Sequence, residues 1–223
     1  MVSLAVVAVA ATVVSSRANP INFFDSRASW IAAVGKYWDV DLNDGVHNSF
    51  TPGSTYIAGS PINLPPGFHH SLSFDANMDV VNGNGWNNYI TGTKPGDLGY
   101  TPPVVFSVSL AAGNPLNGSF TEMVENFGFE VQATLGTTFT INVNGASQTY
   151  TIATTDPQFI GWTTPSYYGP DGEVYAANSF SLTSSANSYK IGNFVIPDAG
   201  TTFGLLSLSL TVLFLAQRRS LTA

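Results

Sequence analysis

The stretch of residues 137–152 constrains the fold most, because it carries Asn144-Gly145 between two segments of alternating polar and apolar side chains. Asn-Gly favours a two-residue type I′ turn, since both positions of that turn need a positive φ. Such a turn also sets the register of the two strands that it joins. The sequence therefore predicts an antiparallel hairpin with the cross-strand pairs Phe139–Tyr150 and Ile141–Gln148 on one face, and Thr140–Thr149 and Asn142–Ser147 on the other.

Further strands are predicted on both sides of this hairpin. Residues 104–110 and 127–131 alternate bulky apolar with other side chains, so each segment should bury one face. Residues 69–74 alternate in the same way and indicate a half-buried strand. Shorter strands are expected at residues 159–162, 180–182 and 189–195.

The order of these segments predicts the fold class. Strand follows strand with turns rich in Gly, Pro and Asn, and only 9% of the residues are charged, which disfavours long surface helices. A chain of 223 residues suits one medium-sized domain plus targeting segments. We predict an all-β fold, an antiparallel β-sandwich of jelly-roll type. Its predicted core includes Phe127, Phe129, Phe139, Ile141 and Tyr150.

One short helix is predicted near the N-terminus of this domain. Asp25 or Ser26 can cap its start, and Gly35 can end it. The apolar side chains between these caps fall on one face of a helix, namely Trp30, Ile31 and Val34. We expect this amphipathic helix to close one end of the core.

The first residues indicate export. Residues 4–14 form an apolar run of signal-peptide length, and Ser16-Arg17-Ala18 ends in a small residue. We expect a signal peptide at 1–18, cleaved after Ala18, followed by the β-sandwich domain at 19–195. Because no basic residue precedes the apolar run, a start further upstream and a buried strand stay open as alternatives.

The last segment, 196–223, combines a turn motif, an uncharged apolar run at 203–216 and a basic pair, Arg218 and Arg219. A helix over this run is about 21 Å long, which is short for a membrane span of about 20 residues. Snorkelling of Arg218 would lengthen it, and the arginines would stay on the cytoplasmic side. The alternative is a buried C-terminal helix of a soluble domain.

The turn motif of this segment resembles the PEP-CTERM class of bacterial sorting signals, in the variant that reads V-P-D-S-G-S-T. Pro197, Asp198 and Gly200 match that pattern, and three positions depart from it conservatively. The predicted processing motif is Ile196, Pro197, Asp198, Ala199, Gly200, Thr201 and Thr202, and its junction should be extended and accessible.

The resemblance implies how the protein is handled. It implies a membrane processing enzyme, an exosortase, as partner, transient membrane association through residues 203–216, and a final location in the cell envelope or outside the cell. The body from about residue 100, with Phe127-Gly128-Phe129-Glu130 and the hairpin, also resembles bodies that carry such tails. This second likeness implies a secreted β-sandwich and no catalytic residues.

The charge of the mature chain restricts its partners. Residues 19–198 hold four Lys and Arg against fourteen Asp and Glu, a formal charge of −10. Such a surface repels nucleic acid and anionic lipid, and it suits neutral glycans or divalent cations better. The sequence has no Cys, so it offers neither a disulfide framework nor a thiolate metal site.

Acidic residues are the first candidates for an enzyme, because glycoside hydrolysis needs two carboxylates across a groove. Glu122, Glu125 and Glu130 are close in sequence, but their positions predict solvent-facing charges. No nucleophile elbow and no phosphate loop is found. We therefore predict no catalytic residue and a non-catalytic exported protein associated with extracellular polysaccharide or the cell envelope. The alternative is a secreted carbohydrate-active enzyme or lectin of jelly-roll fold.

Three loops carry the remaining candidate ligand contacts. Asp75, Asn77 and Asp79 alternate oxygen ligands like a calcium loop without its Gly and closing Glu, so we expect no cofactor and keep a weak calcium site as the alternative. The other two loops combine aromatic side chains with amide and carboxylate groups, which suit stacking on sugar rings and hydrogen bonding to them. The candidate glycan contacts are Trp86, Tyr89, Tyr167 and Tyr168. Core filling or loop anchoring is the alternative role, above all for Trp162.

Overall fold

The computed structural model describes residues 21–65, 70–164 and 176–197. These ranges contain one helix, α1 (Arg27–Val34), and fourteen strands. The strands are β1 (Asn22–Phe24), β2 (Tyr37–Asp39), β3 (Thr55–Tyr56), β4 (Ile62–Leu64), β5 (His70–Phe74), β6 (Met78–Asn82), β7 (Val104–Ser109), β8 (Pro115–Val124), β9 (Asn126–Gln132), β10 (Thr138–Val143), β11 (Ala146–Thr151), β12 (Gln158–Thr163), β13 (Ala177–Ser184) and β14 (Ser188–Pro197).

The strands form two antiparallel sheets. Sheet A has the order β1-β12-β9-β14-β7-β6-β3, and β2 pairs with the end of β14. Sheet B has the order β11-β10-β13-β8-β5-β4. The predicted all-β, sandwich-like fold with one short helix is thereby confirmed.

Aromatic side chains fill the space between the two sheets. Phe127 of β9 lies 5.0 Å, ring centroid to ring centroid, from Phe120 of β8 and 6.0 Å from Phe180 of β13. Tyr189 of β14 meets Phe139 of β10 edge to face at 5.1 Å. These contacts join side chains of sheet A to side chains of sheet B, so one apolar core holds the two layers together.

The hairpin has the register that its turn predicts. Phe139 pairs with Tyr150 and Ile141 with Gln148, and the two polar pairs also form as expected. Asn144 and Gly145 have φ values of 49° and 82°, as a type I′ turn requires. Phe139 and Ile141 are fully buried, while Tyr150 is half-buried at the sheet edge.

The predicted helix is also confirmed. The Ser26 hydroxyl accepts a hydrogen bond from the backbone N–H of Ser29, and Gly35 ends the helix with a φ of 79°. Trp30 is fully buried and donates from Nε1 to the carbonyl oxygen of Trp162 at 3.0 Å. Its ring packs on Phe159, so α1 covers the outer side of sheet A rather than one end of the core.

The expectation of a single buried face is wrong for β9. Phe127, Phe129 and Val131 face the core, but Gly128 and Glu130 on the other side are buried as well. The Phe159 ring lies over Gly128, where a Cβ would be only 2.3 Å from its Cζ. Because α1 and Phe159 cover this part of sheet A, β9 is enclosed on both faces.

Strand β14 continues into the predicted sorting segment. Ile196 pairs with Trp38 of β2, and Pro197 pairs with Tyr37. Ile196 is 7% exposed, so the expectation of an accessible junction is wrong at this residue. The sheet therefore includes the first two residues of the segment 196–223.

The predicted targeting segments lie outside the described residues. This applies to the signal peptide at 1–18 and to residues 198–223, with the rest of the processing motif, the apolar run 203–216, Arg218 and Arg219. Within residues 21–65, 70–164 and 176–197, no helix has the length and hydropathy to cross a membrane.

Burial of the hairpin face gives a test of the core. Phe139→Ala should lower the free energy of unfolding by about 3–5 kcal/mol, because it removes a fully buried ring and leaves a cavity. Equilibrium unfolding in urea measures this change. The control Ser147→Ala, at an exposed position of the same hairpin, should change stability by less than about 0.5 kcal/mol. A loss below about 1 kcal/mol for Phe139→Ala would contradict its place in the core.

Candidate functional site

The outer side of sheet B carries a wide surface of uncharged polar side chains. Along its longer strands the side chains alternate between the interior and the outer surface, and most of those that point outward are Ser, Thr or Asn. Strand β8 also exposes Pro115, Glu122 and Met123. We call this surface the polar face, and it consists of Asn63, Ser71, Ser73, Asn117, Ser119, Thr121, Thr138, Thr140, Asn142, Ser147, Thr149, Thr151, Ser179, Ser181 and Thr183.

Strand pairing arranges the polar face in rows. One row runs across four strands through Ser147, Asn142, Ser181 and Asn117. Neighbouring members bond to each other where β10 meets β11, with Asn142 Nδ2 donating to Ser147 Oγ at 3.0 Å and the Thr140 and Thr149 hydroxyls 2.9 Å apart. Strands lie about 4.8 Å apart, and i, i+2 side chains about 7 Å, so donors and acceptors recur at short, regular intervals.

The chemistry of the polar face suits a neutral, hydroxyl-rich ligand. Ser and Thr hydroxyls and Asn amides can each donate and accept hydrogen bonds. The carboxylate of Asp75 lies at one margin, where Asn117 Nδ2 donates to it at 2.6 Å. Sequence alternation alone shows the pattern, for example Thr138-x-Thr140-x-Asn142 and Ser147-x-Thr149-x-Thr151, but only the strand order joins the segments into one surface.

A buried polar cluster lies on the outer side of sheet A. Arg27 of α1 forms an ion pair with Asp39 of β2, and its guanidinium carbon lies 3.7 Å from the centroid of the Tyr89 ring. The Tyr89 hydroxyl donates to Glu130 Oε1 at 2.8 Å. Asn193 Nδ2 donates to the other oxygen of Glu130, also at 2.8 Å. The cluster links a helix, three strands and a loop.

Glu130 is therefore not the solvent-facing charge that the sequence predicts. It is 5% exposed, because the loop of Tyr89 covers it, and both of its oxygens accept hydrogen bonds. Burial raises the pKa of its carboxyl group, although the bonds from Asn193 and Tyr89 and the charge of Arg27 act in the opposite direction. This arrangement anchors the loop to β9 and β14.

The structure places the predicted glycan contacts differently from expectation. Trp86 is fully buried and donates from Nε1 to Gln132 Oε1 at 2.9 Å, so its prediction as a glycan contact is wrong. Tyr89 is half-buried and has one ring face against Arg27. Trp162 is fully buried, as the core alternative states. Tyr167 and Tyr168 lie outside the described residues.

The candidate calcium ligands have protein partners. Asp75 accepts two hydrogen bonds from Asn117, and Asn77 Oδ1 accepts one from the backbone N–H of Ala58 at 2.8 Å. Asp79 is exposed on β6. Among the described residues, no three His, Cys, Asp or Glu side chains gather in a group that could hold a metal ion. Calcium binding at this loop stays a prediction.

A family model matches the end of the chain. Residues 197–220 match the VPDSG-CTERM motif. The protein thus carries a C-terminal tail of the PEP-CTERM-like sorting class, as the resemblance of Pro197, Asp198 and Gly200 predicts. A comparison with curated proteins finds no match.

Two solved structures show a distant likeness in fold. The enzymatically active domain of tailspike protein 4 from bacteriophage CBA120 is 18% identical with a TM-score of 0.28, and the match covers 58% of this chain. This chain spans 19% of that tailspike domain. TmCBM61, solved in complex with beta-1,4-galactotriose, is 12% identical with a TM-score of 0.28, and the match covers 58% of this chain and 89% of that one. We base no argument on either likeness.

The raised pKa of Glu130 gives a test by pH. A carboxyl group whose pKa is higher in the folded state stabilises the fold below its unfolded pKa of about 4.3, and that contribution is lost as pH rises through the folded value. The wild type should therefore lose stability relative to Glu130→Gln between pH 4 and pH 7. Urea unfolding at several pH values measures the difference.

The control for this test is Asp79→Asn, which changes an exposed carboxylate of β6. Its stability difference from the wild type should vary much less over the same pH range. A wild type that gains stability relative to Glu130→Gln as pH rises would show that the ionised carboxylate is the favoured form in the fold.

Proposed function

We propose that this protein is an exported, non-catalytic β-sandwich of jelly-roll type that associates with extracellular polysaccharide at the cell envelope. The observation that carries the proposal is the sorting tail at residues 197–220. In this proposal a signal peptide at 1–18 starts export, and residues 203–216 hold the precursor in the membrane for a short time. Arg218 and Arg219 stay on the cytoplasmic side, and an exosortase-like membrane enzyme removes the tail.

The strand pairing of β14 is compatible with removal of the tail after the domain has folded. β14 lies between β9 and β7 in sheet A, and its last residues pair with β2. Asp198 is the next residue along the chain, so a cut after it leaves every strand pair in place. The released body would keep Ile196 and Pro197 as part of the sheet and would need no refolding.

The polar face supports association with a neutral polysaccharide. Its outward side chains are Ser, Thr and Asn over four neighbouring long strands, and a sugar polymer presents hydroxyl groups at comparable density. The formal charge of −10 on residues 19–198 repels acidic polymers, which leaves neutral glycans as the better match.

The hydrogen bonds and the ion pair of Glu130 and Asp39 support a non-catalytic role. A glycoside hydrolase needs one carboxylic acid and one carboxylate that both reach the substrate. Glu130 is buried with both oxygens bonded to Tyr89 and Asn193, and Asp39 forms an ion pair with Arg27. The alternative of a carbohydrate-active enzyme would require other acids than these.

Tail removal can be tested in the native host. Mass spectrometry of the mature protein should find a C-terminus near Asp198 or Gly200 and no peptide beyond Phe203. The double variant Pro197→Ala with Asp198→Ala should leave the precursor in the membrane fraction. Pro95→Ala with Asp97→Ala, the same pair of changes in an exposed loop, should be processed normally. An extracellular protein that still ends at Ala223 would refute the proposal.

Polysaccharide association can be tested by co-sedimentation with an insoluble neutral glucan and with the extracellular polysaccharide of the host. Thr140→Glu with Ser181→Glu places two charges on the polar face and should lower the bound fraction at least tenfold. Ser109→Glu with Asn82→Glu adds the same charge at exposed positions of sheet A and should bind like the wild type. Equal binding by both double variants would contradict a role for the polar face.

A further inference from the structure

A groove opens where the edges of the two sheets meet. It has a volume of about 370 Å³ and lies between β11 at the edge of sheet B and β12 of sheet A. Asp25, which follows β1, also lines it. A volume of this size lies at the lower end of the range for small-ligand pockets, about 300–1,000 Å³, and it accommodates one or two sugar rings.

The groove has polar side chains at its surface and apolar side chains behind them. Val131, Ile152 and Ile160 lie behind the groove surface, and each of them is almost completely buried, so the surface that a ligand meets is mostly polar. The rim side chains are one carboxylate, two amides and one phenol, from Asp25, Gln148, Gln158 and Tyr150. The hydroxyl groups around the edge of a sugar ring can form hydrogen bonds with such polar side chains.

The Tyr150 hydroxyl is fixed in position and stays protonated. It donates to the carbonyl oxygen of Phe24 at 3.2 Å, which ties β11 to the end of β1. Burial raises the pKa of Tyr150, and the charge of Asp25 raises it further. Asp25 lines the same groove and follows Phe24 directly in the chain, so the groove brings its carboxylate and the Tyr150 phenol together.

The groove is continuous with the polar face. Thr149 and Thr151 line the groove, and their side chains belong to the outer side of sheet B. In the described residues β11 pairs only with β10, so part of its backbone hydrogen-bonding capacity is directed to the open edge. A polymer that lies along the polar face therefore reaches the groove at the β11 edge.

We propose that this groove binds one hexose unit of a neutral polysaccharide whose neighbouring units lie along the polar face. This inference rests on the proposed function and adds the place and the sugar class. Asp25 accepts hydrogen bonds from hydroxyl groups of the sugar, and the amide of Gln148 donates and accepts at the rim. The carboxylate also disfavours uronic acids, since two negative charges would meet in one groove.

The test uses the full-length chain in detergent micelles and three neutral trisaccharides, built of glucose, galactose or mannose. Amide NMR shifts locate the binding surface and give the affinity. At least one trisaccharide should shift the amides of Thr149, Tyr150 and Thr151. Asp25→Ala with Gln148→Ala should weaken its binding tenfold or more, at an unchanged melting temperature. The matched control Asp79→Ala with Asn82→Ala, on β6 of sheet A, should bind like the wild type.

The outcomes separate this inference from the proposed function. Shifts that fall elsewhere, or equal affinity in the groove variant, overturn the groove as the binding site. If no trisaccharide binds while insoluble glucan is still captured through the polar face, the groove inference fails and the function stands. If the chain binds neither trisaccharide nor polysaccharide, both fail. Should the double variant unfold, Gln148→Trp, which fills the groove from an exposed position, must abolish the same shifts.

Discussion

The contact between Phe127 of sheet A and the aromatic rings of sheet B is the interaction on which the rest of this structure depends. Phe127 meets Phe120 and Phe180 across the interior, and the ring of Phe194, from the same sheet, stacks on it at 6.0 Å. These rings hold the two sheets face to face, because only burial between layers removes so much apolar surface from water. Once the inner faces are fixed in this way, each sheet has one outer face left to cover or to present.

The outer faces of the two sheets differ in how far they are covered. Sheet A is covered by α1, with Trp30 against Phe159, and by the loop that carries Tyr89. Glu130 can be buried there because Tyr89 and Asn193 supply a hydrogen bond to each of its oxygens. Sheet B presents its polar face to the surroundings, since Ser, Thr and Asn satisfy their hydrogen bonds with neighbours and water. This asymmetry directs our proposal for polysaccharide association to sheet B.

Strand β14 connects the sandwich to the sorting tail. Its middle pairs with β7 and β9, and its end pairs with β2 through Val195, Ile196 and Pro197. Asn193, at a φ of 48°, lies where its pairing with β9 becomes irregular and sends its side chain to Glu130. The last strand before the tail is therefore held by backbone pairing on both sides and by a buried side-chain bond, so handling of the tail need not disturb the body.

The sequence by itself determined the features that depend on near neighbours in the chain. Asn144-Gly145 set the hairpin and its register, Ser26 and Gly35 set the ends of α1, and Pro197, Asp198 and Gly200 identified the tail. Tertiary structure alone decided that Glu130 and Trp86 are buried, because their hydrogen-bond partners are distant in the sequence. Tyr89 and Asn193 lie 41 and 63 residues from Glu130, and Gln132 lies 46 residues from Trp86. Strand order likewise decided the polar face and the groove. It brings together residues that are far apart in the sequence, and no local interaction along the chain favours their contact.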